Sequence, residues 1–276
     1  MNDVLLQRRE GAVLVLSNNN PAARNALSPA FYAALTEALA QAEADPTVGA
    51  IVLTGEGGHF CAGGDLRQLA KRRELPVEER RAKLEGLHDL IRTVRDCRKP
   101  VIAAVEGAAA GAGLSLALAC DMLVAARNAV FSVAYVKVGL TPDGGATAFL
   151  AEFVSRQVLT ELCLTGERIS GERLHALGPV NRLAEPGEAL TQALVLAAQV
   201  AAGPDLAMAH IKALCRSAYA LPLDDQLEQE AQRMVQAQAT EESREGIGAF
   251  LEKRPADFAR LRQINATGAD KQETQK

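Results

Sequence analysis

Residues Lys99–Asp121 read KPVIAAVEGAAAGAGLSLALACD and contain a complete strand–loop–helix pattern. The apolar run Val101–Val105 follows a proline and predicts a buried strand, and the apolar segment Leu114–Cys120 predicts a short helix. Between them lies a run of Gly and Ala without bulky side chains. The start of such a helix presents backbone N–H groups that lack a helical partner and attract negative charge. The segment therefore predicts either a main-chain anion pocket or only close packing of helix against sheet.

A second segment, Thr54–Leu66 (TGEGGHFCAGGDL), has the same organisation. A strand ends in a glycine-rich loop, three small residues follow (Ala62, Gly63 and Gly64), and Asp65 can cap the next helix. Taken alone, this loop is either a pocket of main-chain donors or a tight turn between strand and helix. If both segments follow strands of one sheet, their amides lie side by side, as an enolate oxygen requires.

Strand and helix patterns alternate along the first two-thirds of the chain, which predicts an α/β fold with a sheet covered on both faces. Ser28-Pro29 predicts the start of a helix that ends at Asp45-Pro46, and a longer helix is predicted from near Pro76 to Arg98, with Leu84, Leu87, His88, Ile91 and Val94 on one face. After about Pro186 only helical patterns remain. We therefore expect a core of residues 1–200, a helical cap of residues 201–263 and a disordered polar tail of residues 264–276.

Composition and charge argue against several classes of protein, among them nucleic-acid-binding, membrane-spanning and metal-binding proteins. The 276 residues carry a net charge of −4 and no Trp, which disfavours nucleic acid and anionic membranes as partners. The longest charge-free stretch is shorter than the ~20 residues of a membrane span. Five cysteines without a CxxC pair favour a reducing compartment, and the four histidines have no metal-ligand spacing. With no secretion signal at the N-terminus, we expect a cytoplasmic, metal-free protein.

Several motifs together resemble the enoyl-CoA hydratase/isomerase family, also called the crotonase family. They are NPAARNAL (Asn20–Leu27), FCAGGDL (Phe60–Leu66), the 99–121 segment, GLTPDGG (Gly139–Gly145) and GIGAFLEKR (Gly246–Arg254). They occur in the family's order. The resemblance implies a crotonase-like ββα superhelix with a C-terminal helical trimerisation region, and a homotrimer or a hexamer made of two trimers.

The resemblance also assigns roles to individual residues. It implies that the backbone amides of Gly64 and Ala112 form an oxyanion hole. The alanine suits its position because only its amide is used, provided that its φ angle is negative. Coenzyme A contacts are implied for Ala22, Arg24, Ala62, Gly63, Asp65 and Leu66, and for Phe250 and Lys253 on a C-terminal helix that often belongs to a neighbouring subunit.

The chain departs from the family's hydratases at two positions. Those enzymes use two glutamates to position and deprotonate water, whereas the register places Ser115 and Tyr135 there, and neither residue is a carboxylate base. Asp143, which follows Pro142 in the GLTPDGG motif, matches the single base of the family's isomerases. Pro-Asp-Gly is also strong turn chemistry, so Asp143 is either that base or only a turn residue. Glu106 is a second candidate acid.

The resemblance implies an acyl-CoA enzyme that isomerises the double bond of an enoyl-CoA through an enolate, with no cofactor other than the coenzyme A of the substrate. Two alternatives stay open within the family: a hydratase, or a ring-opening enzyme for oxepin-type thioesters in phenylacetate-type catabolism. The alternative from another class is an acyl-CoA-binding protein without catalysis. The charged stretch Lys71–Lys83 is either a solvated surface or a contact for coenzyme A phosphates.

Overall fold

The computed structural model describes residues 3–264. Its strands are β1 (Leu5–Glu10), β2 (Val13–Asn18), β3 (Ala50–Gly55), β4 (Val101–Val105), β5 (Ala108–Ala110), β6 (Met122–Ala126), β7 (Val130–Ser132), β8 (Ile169–Ser170) and β9 (Arg182–Ala184). Its helices are α1 (Pro29–Ala44), α2 (Leu66–Arg72), α3 (Val77–Asp96), α4 (Ala112–Ala119), α5 (Ala146–Ala151), α6 (Arg156–Thr165), α7 (Gly171–Ala176), α8 (Ala189–Ala201), α9 (Asp205–Ser217), α10 (Leu223–Gln238) and α11 (Glu241–Leu251). Residues 258–264 are also helical.

The strands form two sheets. The larger has the order β1-β2-β3-β4-β6-β9, and all of its neighbouring pairs are parallel except β1 with β2. The smaller has the order β5-β7-β8, in which β5 and β7 are parallel. The two predicted strands that precede the glycine-rich loops, β3 and β4, are direct neighbours, with Val52 opposite Ile102. Both loops therefore leave the same edge of one sheet.

Apolar side chains cover both faces of the larger sheet. On one face, Ile51 and Ala103 belong to a core shared with α1, α3 and α4. On the other face, Val52 and Ile102 belong to a core shared with α8. Burial on both faces is the physical reason why these strands are continuous apolar runs without alternation. The predicted α/β class, with a sheet covered on both faces, is confirmed.

The predicted helices α1 and α3 are present, but one predicted face needs correction. Ser28 caps α1 as predicted, with its hydroxyl accepting from the Phe31 amide at 3.2 Å. In α3 the buried residues are Leu87, Leu90, Ile91 and Val94. The prediction that Leu84 belongs to the buried face is wrong, because residues 76–84 are all exposed and Leu84 retains 40% of its accessible surface. The buried stripe begins one turn later and includes Leu90 instead.

The C-terminal helices α9, α10 and α11 lie in the part of the chain after Pro186 for which only helical patterns were predicted. They bury few side chains within the described chain: none in α9, Gln226 in α10 and Ala249 in α11. Lys212 fixes α9 to the core, since its Nζ lies 2.6 Å from Asp121 Oδ2 and donates to the carbonyl of Lys99 at 2.8 Å. The division into a core and a cap near residue 200 stays a prediction. The predicted tail lies outside the described residues except for Ile264.

Candidate active site

The two glycine-rich loops meet at the N-terminus of α4. Cys61 forms an isolated parallel bridge with Ala109, in which the Ala110 amide donates to the Cys61 carbonyl at 3.0 Å. The loops approach so closely that side chains are excluded. A Cβ atom on Gly113 would lie 2.3 Å from the Cys61 oxygen, and one on Gly63 (φ 95°) would lie 2.6 Å from the Ala110 oxygen. The glycines therefore allow this contact between the loops.

The backbone amides of Gly64 and Ala112 have no acceptor within the part of the chain that the structure describes. The amide of Gly111, just before Ala112, is used internally and donates to the Ser132 carbonyl at 2.9 Å. Ala112 is the first residue of α4, and its φ angle is not positive, which meets the condition for an alanine at this position. A Cβ on Gly63 would lie 3.6 Å from the Ala112 nitrogen, so the two amides belong to directly adjacent backbone.

Asn25 organises the first loop of the site, and sequence reasoning assigned it no role. Its Nδ2 donates to the carbonyls of Glu56 at 2.8 Å and His59 at 2.6 Å, and its Oδ1 accepts from the Asn20 amide at 2.9 Å. The side chain is fully buried, and φ is 57°, a left-handed conformation that asparagine tolerates well. The sequence feature that could have indicated this role is an asparagine directly after the Pro21–Arg24 turn.

Most of the residues with expected coenzyme A contacts lie together around this loop. The Ala62 amide donates to the Arg24 carbonyl at 3.0 Å, and the Leu27 amide donates to the Gly63 carbonyl at 2.8 Å. Ala22 lies in the short 3-10 turn just before Arg24, and both residues are exposed. The two chain segments thus form one continuous surface beside the Gly64 amide.

The remaining expected contacts are divided between two places. Asp65 caps α2 as predicted, accepting from the Arg67 amide at 2.9 Å, and Leu66 is exposed at the start of that helix. Phe250, 83% exposed, and Lys253 lie at the end of α11. Across residues 3–264, no hydrogen bond or ion pair joins Phe250 or Lys253 to the glycine-rich loops. The single chain therefore does not bring these two into the cluster.

Asp143 is held by Ser115 and Tyr135, the two residues expected at the positions of the hydratase glutamates. The Tyr135 hydroxyl donates to Asp143 Oδ1 at 2.7 Å, and the Ser115 hydroxyl donates to the Asp143 carbonyl at 3.0 Å. Ser115 lies one turn into α4 from Ala112, and a Cβ on Gly111 would lie 3.7 Å from the Tyr135 ring. The backbone of Asp143 is thus tied to α4 through Ser115, and its carboxyl group is held by Tyr135. Pro142, half-buried, precedes it in the loop.

Two tyrosines near Asp143 remain protonated at neutral pH. Burial, followed by the negative charge of Asp143, raises the pKa of Tyr135 far above its usual value. Burial also raises the pKa of Tyr32 to about 12; the charge of Arg72 opposes this shift and that of Asp143 adds to it. Tyr32 is therefore a neighbour of the site that no motif indicated. Its position in α1 follows the ordinary helical pattern, so the sequence offered no distinguishing signal.

The other two acids near the α4 segment have structural roles. Glu106 Oε1 accepts from the Ala189 amide at 2.8 Å, and Asp121 Oδ2 accepts from the Val101 amide at 2.7 Å. Both carboxylates therefore bond to backbone donors of neighbouring elements. Cys61 is also unreactive, because burial raises the pKa of its thiol to about 12.

Within residues 3–264, no group of three or more His, Cys, Asp or Glu side chains could bind a metal ion. No single helix in the described range is long and apolar enough to cross a membrane; only the pair α8 and α9, bent by 113°, passes such a test when both are counted together.

Comparison with known proteins shows the family of the chain. Residues 8–261 match the enoyl-CoA hydratase/isomerase family. The chain belongs to the enoyl-CoA hydratase/isomerase family. It is 36% identical to 1,2-epoxyphenylacetyl-CoA isomerase and 35% identical to 2,3-dehydroadipyl-CoA hydratase, both of Escherichia coli, over 94% of this chain and 99% of each relative. A crystal structure of an enoyl-CoA hydratase from Polaromonas sp. JS666 aligns with a TM-score of 0.88 at 50% identity, covering 92% of this chain and 98% of that one.

These matches confirm the predicted family and the crotonase-like fold, and the C-terminal helices of that fold are present. An enzyme of this family acts on acyl-CoA thioesters. The names of the relatives include both hydratases and an isomerase.

Proposed function

We propose that the protein isomerises the double bond of an enoyl-CoA, with Asp143 as the single base and the amides of Gly64 and Ala112 as the oxyanion hole. The hydrogen bond from Tyr135 to Asp143 Oδ1 supports this role best, because it orients a carboxylate beside the N-terminus of α4. The second carboxylate oxygen has no protein donor among the described residues and is available to accept a substrate proton.

The proposed reaction moves one proton from C2 to C4 of the substrate, and Asp143 returns to its starting state. Asp143 removes a proton from C2 of a 3-enoyl-CoA, and the C–H electron pair forms a dienolate with negative charge on the thioester oxygen. The two amides donate to that oxygen, and each donor contributes roughly 3–4 kcal/mol to transition-state stabilisation. The same carboxyl group then returns the proton to C4, and the double bond moves to C2–C3 in conjugation with the thioester.

Hydration is the second candidate, and the hydratase names of several relatives favour it. The two-glutamate route is not available to this chain, because Ser115 and Tyr135 carry hydroxyls at those positions. Both hydroxyl protons are already donated to Asp143. A water molecule in this site would have one carboxylate as its base and no donated proton from either residue, which makes hydration the less favoured reaction.

Substrate binding is proposed on the surface around the first loop. Ala22, Arg24, Ala62, Gly63, Asp65 and Leu66 would contact coenzyme A, and the Arg24 guanidinium suits its phosphates. Turnover would need no metal or redox cofactor, since proton transfer by one carboxylate supplies the whole reaction. One relative is named for 1,2-epoxyphenylacetyl-CoA, which favours an acyl group derived from an aromatic acid. The resemblance adds ring-opened or oxepin-type forms of such a group as further candidates.

Self-association is proposed through the C-terminal helices, as a homotrimer or as a hexamer made of two trimers. Helices α10 and α11 expose large apolar side chains, among them Leu223, Val235 and Phe250. Large apolar side chains left exposed on neighbouring helices are consistent with a protein–protein contact. A second copy would also bring Phe250 and Lys253 to the coenzyme A of its neighbour. Sedimentation equilibrium would measure the assembly, and a monomer at micromolar concentration would contradict it.

One spectrophotometric assay separates the candidate reactions. Isomerisation of a 3-enoyl-CoA creates a conjugated thioester and increases its ultraviolet absorbance, whereas hydration of a 2-enoyl-CoA removes the conjugation and decreases it. We expect turnover with linear or ring-derived 3-enoyl-CoA and a much lower rate with 2-enoyl-CoA. Turnover of 2-enoyl-CoA alone would support the hydratase. Binding of thioesters without turnover of any substrate would support the non-catalytic acyl-CoA-binding protein.

A further inference from the structure

We infer that Tyr135 is a positioning residue that orients the carboxylate of Asp143, assisted by Ser115; this inference rests on the proposed function of Asp143. The phenol donates to Oδ1 at 2.7 Å and also lies 3.3 Å from the Asp143 carbonyl oxygen. One tyrosine thus contacts both the backbone and the side chain of the base.

The number of hydroxyl protons decides which group donates to which oxygen among Ser115, Tyr135 and Asp143. Ser115 has one hydroxyl proton, and its Oγ lies 3.0 Å from the Asp143 carbonyl and 3.5 Å from the Tyr135 hydroxyl. With that proton on the carbonyl, the phenol proton is free for the shorter contact to Oδ1. Ser115 therefore donates to the backbone carbonyl of Asp143, and Tyr135 donates to its carboxylate.

Close packing maintains this arrangement. Ser115 is fully buried in α4, and a Cβ on Gly144 would lie 3.0 Å from the Ser115 Cβ. Gly144 itself has φ 59°, so a side chain there would strain the backbone as well as crowd Ser115. The loop that carries Asp143 is thereby fixed against α4 immediately after the base.

Orientation matters more for this reaction than for water addition. A single carboxylate has to reach both C2 and C4 of a bound acyl chain without leaving the site. The terminal torsion of an aspartate is broad, so a free side chain would sample many directions. A hydrogen bond to one oxygen restricts that torsion and presents the other oxygen, which lowers the entropic part of the barrier. The phenol suits this task because it stays protonated while the carboxylate is charged.

The same two positions therefore acquire a different use in this chain. At the two positions where the resemblance implies glutamates in the hydratases, this chain has the hydroxyls of Ser115 and Tyr135. Both hydroxyls donate to Asp143. We expect the pair to bias the site toward proton transfer between carbons, because neither residue can act as a base toward water.

The test compares Tyr135→Phe with the matched control Tyr219→Phe, which removes a phenol from the exposed segment between α9 and α10. Phenylalanine fills nearly the same volume, so the fold should persist. We expect kcat of Tyr135→Phe on 3-enoyl-CoA to fall about 10–100-fold, with KM changed less than about threefold, as for loss of a hydrogen bond to a charged group. The acid limb of the pH–rate profile should move to higher pH, because the charged form of the base loses a donor.

A purely structural role would give a different result. In that case kcat would fall only in proportion to the loss of folded protein or of coenzyme A binding, and the pH profile would not shift. Either that result or an unchanged kcat would overturn the inference. If Tyr135→Phe does not fold, Ser115→Ala replaces it. We expect a smaller loss of about 3–10-fold and a smaller shift of the acid limb, because the phenol proton is then shared between Oδ1 and the Asp143 carbonyl that Ser115 no longer occupies. An unchanged kcat would overturn the inference.

Asp143→Asn is measured in parallel to separate the two claims. If Asp143→Asn keeps the parent rate, the proposed base and this inference both fail. If Asp143→Asn is inactive and Tyr135→Phe is fully active, only the inference about Tyr135 fails.

Discussion

The carboxylate of Glu106 accepts a hydrogen bond from the amide of Ala189 at 2.8 Å, across 83 residues of sequence. Ala189 is the first residue of α8, the helix that covers one face of the larger sheet. A negative charge at a helix N-terminus pairs with an otherwise unpaired donor and with the positive end of the helix dipole. The acid that follows β4 therefore fastens α8 to the sheet.

We predict that Glu106→Gln destabilises the protein without slowing it. The amide side chain keeps an acceptor but loses the charge, so the free energy of unfolding should fall by about 1–2 kcal/mol. Urea unfolding measures that change, and kcat at a temperature where the variant is folded should stay within about twofold of the parent. A folded variant that has lost turnover would restore Glu106 as a catalytic acid.

Replacement of Asn25 should damage stability and coenzyme A binding together. Asn25→Ala removes the donor to the Glu56 and His59 carbonyls and the acceptor for the Asn20 amide, so we expect a loss of about 2–4 kcal/mol. KM should rise because the loop that carries Ala22 and Arg24 loses its anchor. Asn25→Gly is the matched comparison, since it removes the same bonds but accepts φ 57° without strain.

Comparing Asn25→Ala with Asn25→Gly separates the loss of the side-chain hydrogen bonds from the backbone strain at φ 57°. The glycine variant should be the more stable of the two by up to about 1 kcal/mol. A KM unchanged in both variants would contradict the anchoring role of Asn25.

Gly113→Ala tests the close approach of the two loops. The added Cβ would meet the Cys61 oxygen at 2.3 Å, and backbone at that distance cannot yield without moving α4 away from the first loop. We expect a loss of stability and at least a tenfold fall in kcat, because the Ala112 and Gly64 amides would separate. Gly248→Ala is the control: this helical glycine of α11 has open space around its Cβ position.

The control should gain about 0.5–1 kcal/mol of stability from its higher helix propensity and keep its kcat. Thermal unfolding and steady-state kinetics measure both variants. Equal behaviour of Gly113→Ala and Gly248→Ala would show that the loops do not need this contact.

Acid should remove one stabilising ion pair at the end of α11. A hydrogen bond from Arg254, at 2.6 Å, lowers the pKa of Glu245 from 4.5 to about 2, assisted by the Asp257 amide. Since the folded pKa lies below the unfolded one, this pair stabilises the protein above about pH 4.5, and the contribution is lost as pH falls toward 2. Parent and Glu245→Gln should therefore differ in urea midpoint at pH 6 and converge toward pH 2. A constant difference would contradict this.

The central strands and their loops could be predicted from sequence because their signals are local. Val101–Val105 matches β4 at both ends, since burial on both faces leaves an uninterrupted apolar run bounded by a proline. Strands β5 and β8, three and two residues long, carry too little pattern to be recognised and exist through pairing with β7. Leu84 has the spacing of the buried face of α3 but is exposed, because periodicity cannot show how far along its length a helix is covered by its neighbours.

The site was predictable only in part, for the same reason. The motifs indicated Asp143, Ser115 and Tyr135 as neighbours, but nothing in the order of residues shows which hydroxyl donates to which oxygen. That depends on the 3-10 turn of Ala134–Val138, which brings Tyr135 back over the loop. Tyr32 approaches Asp143 from α1, and such a tertiary contact has no local signature.

The isomerase rate of Asp143→Asn on a 3-enoyl-CoA, measured beside its dissociation constant for the same thioester, tests the central assignment most directly. Asparagine has nearly the same shape but cannot accept the C2 proton. We predict a fall in kcat of at least about 10³-fold, with the dissociation constant within about threefold of the parent. A variant that binds the thioester and turns it over at the parent rate would contradict the assignment of Asp143 as the base.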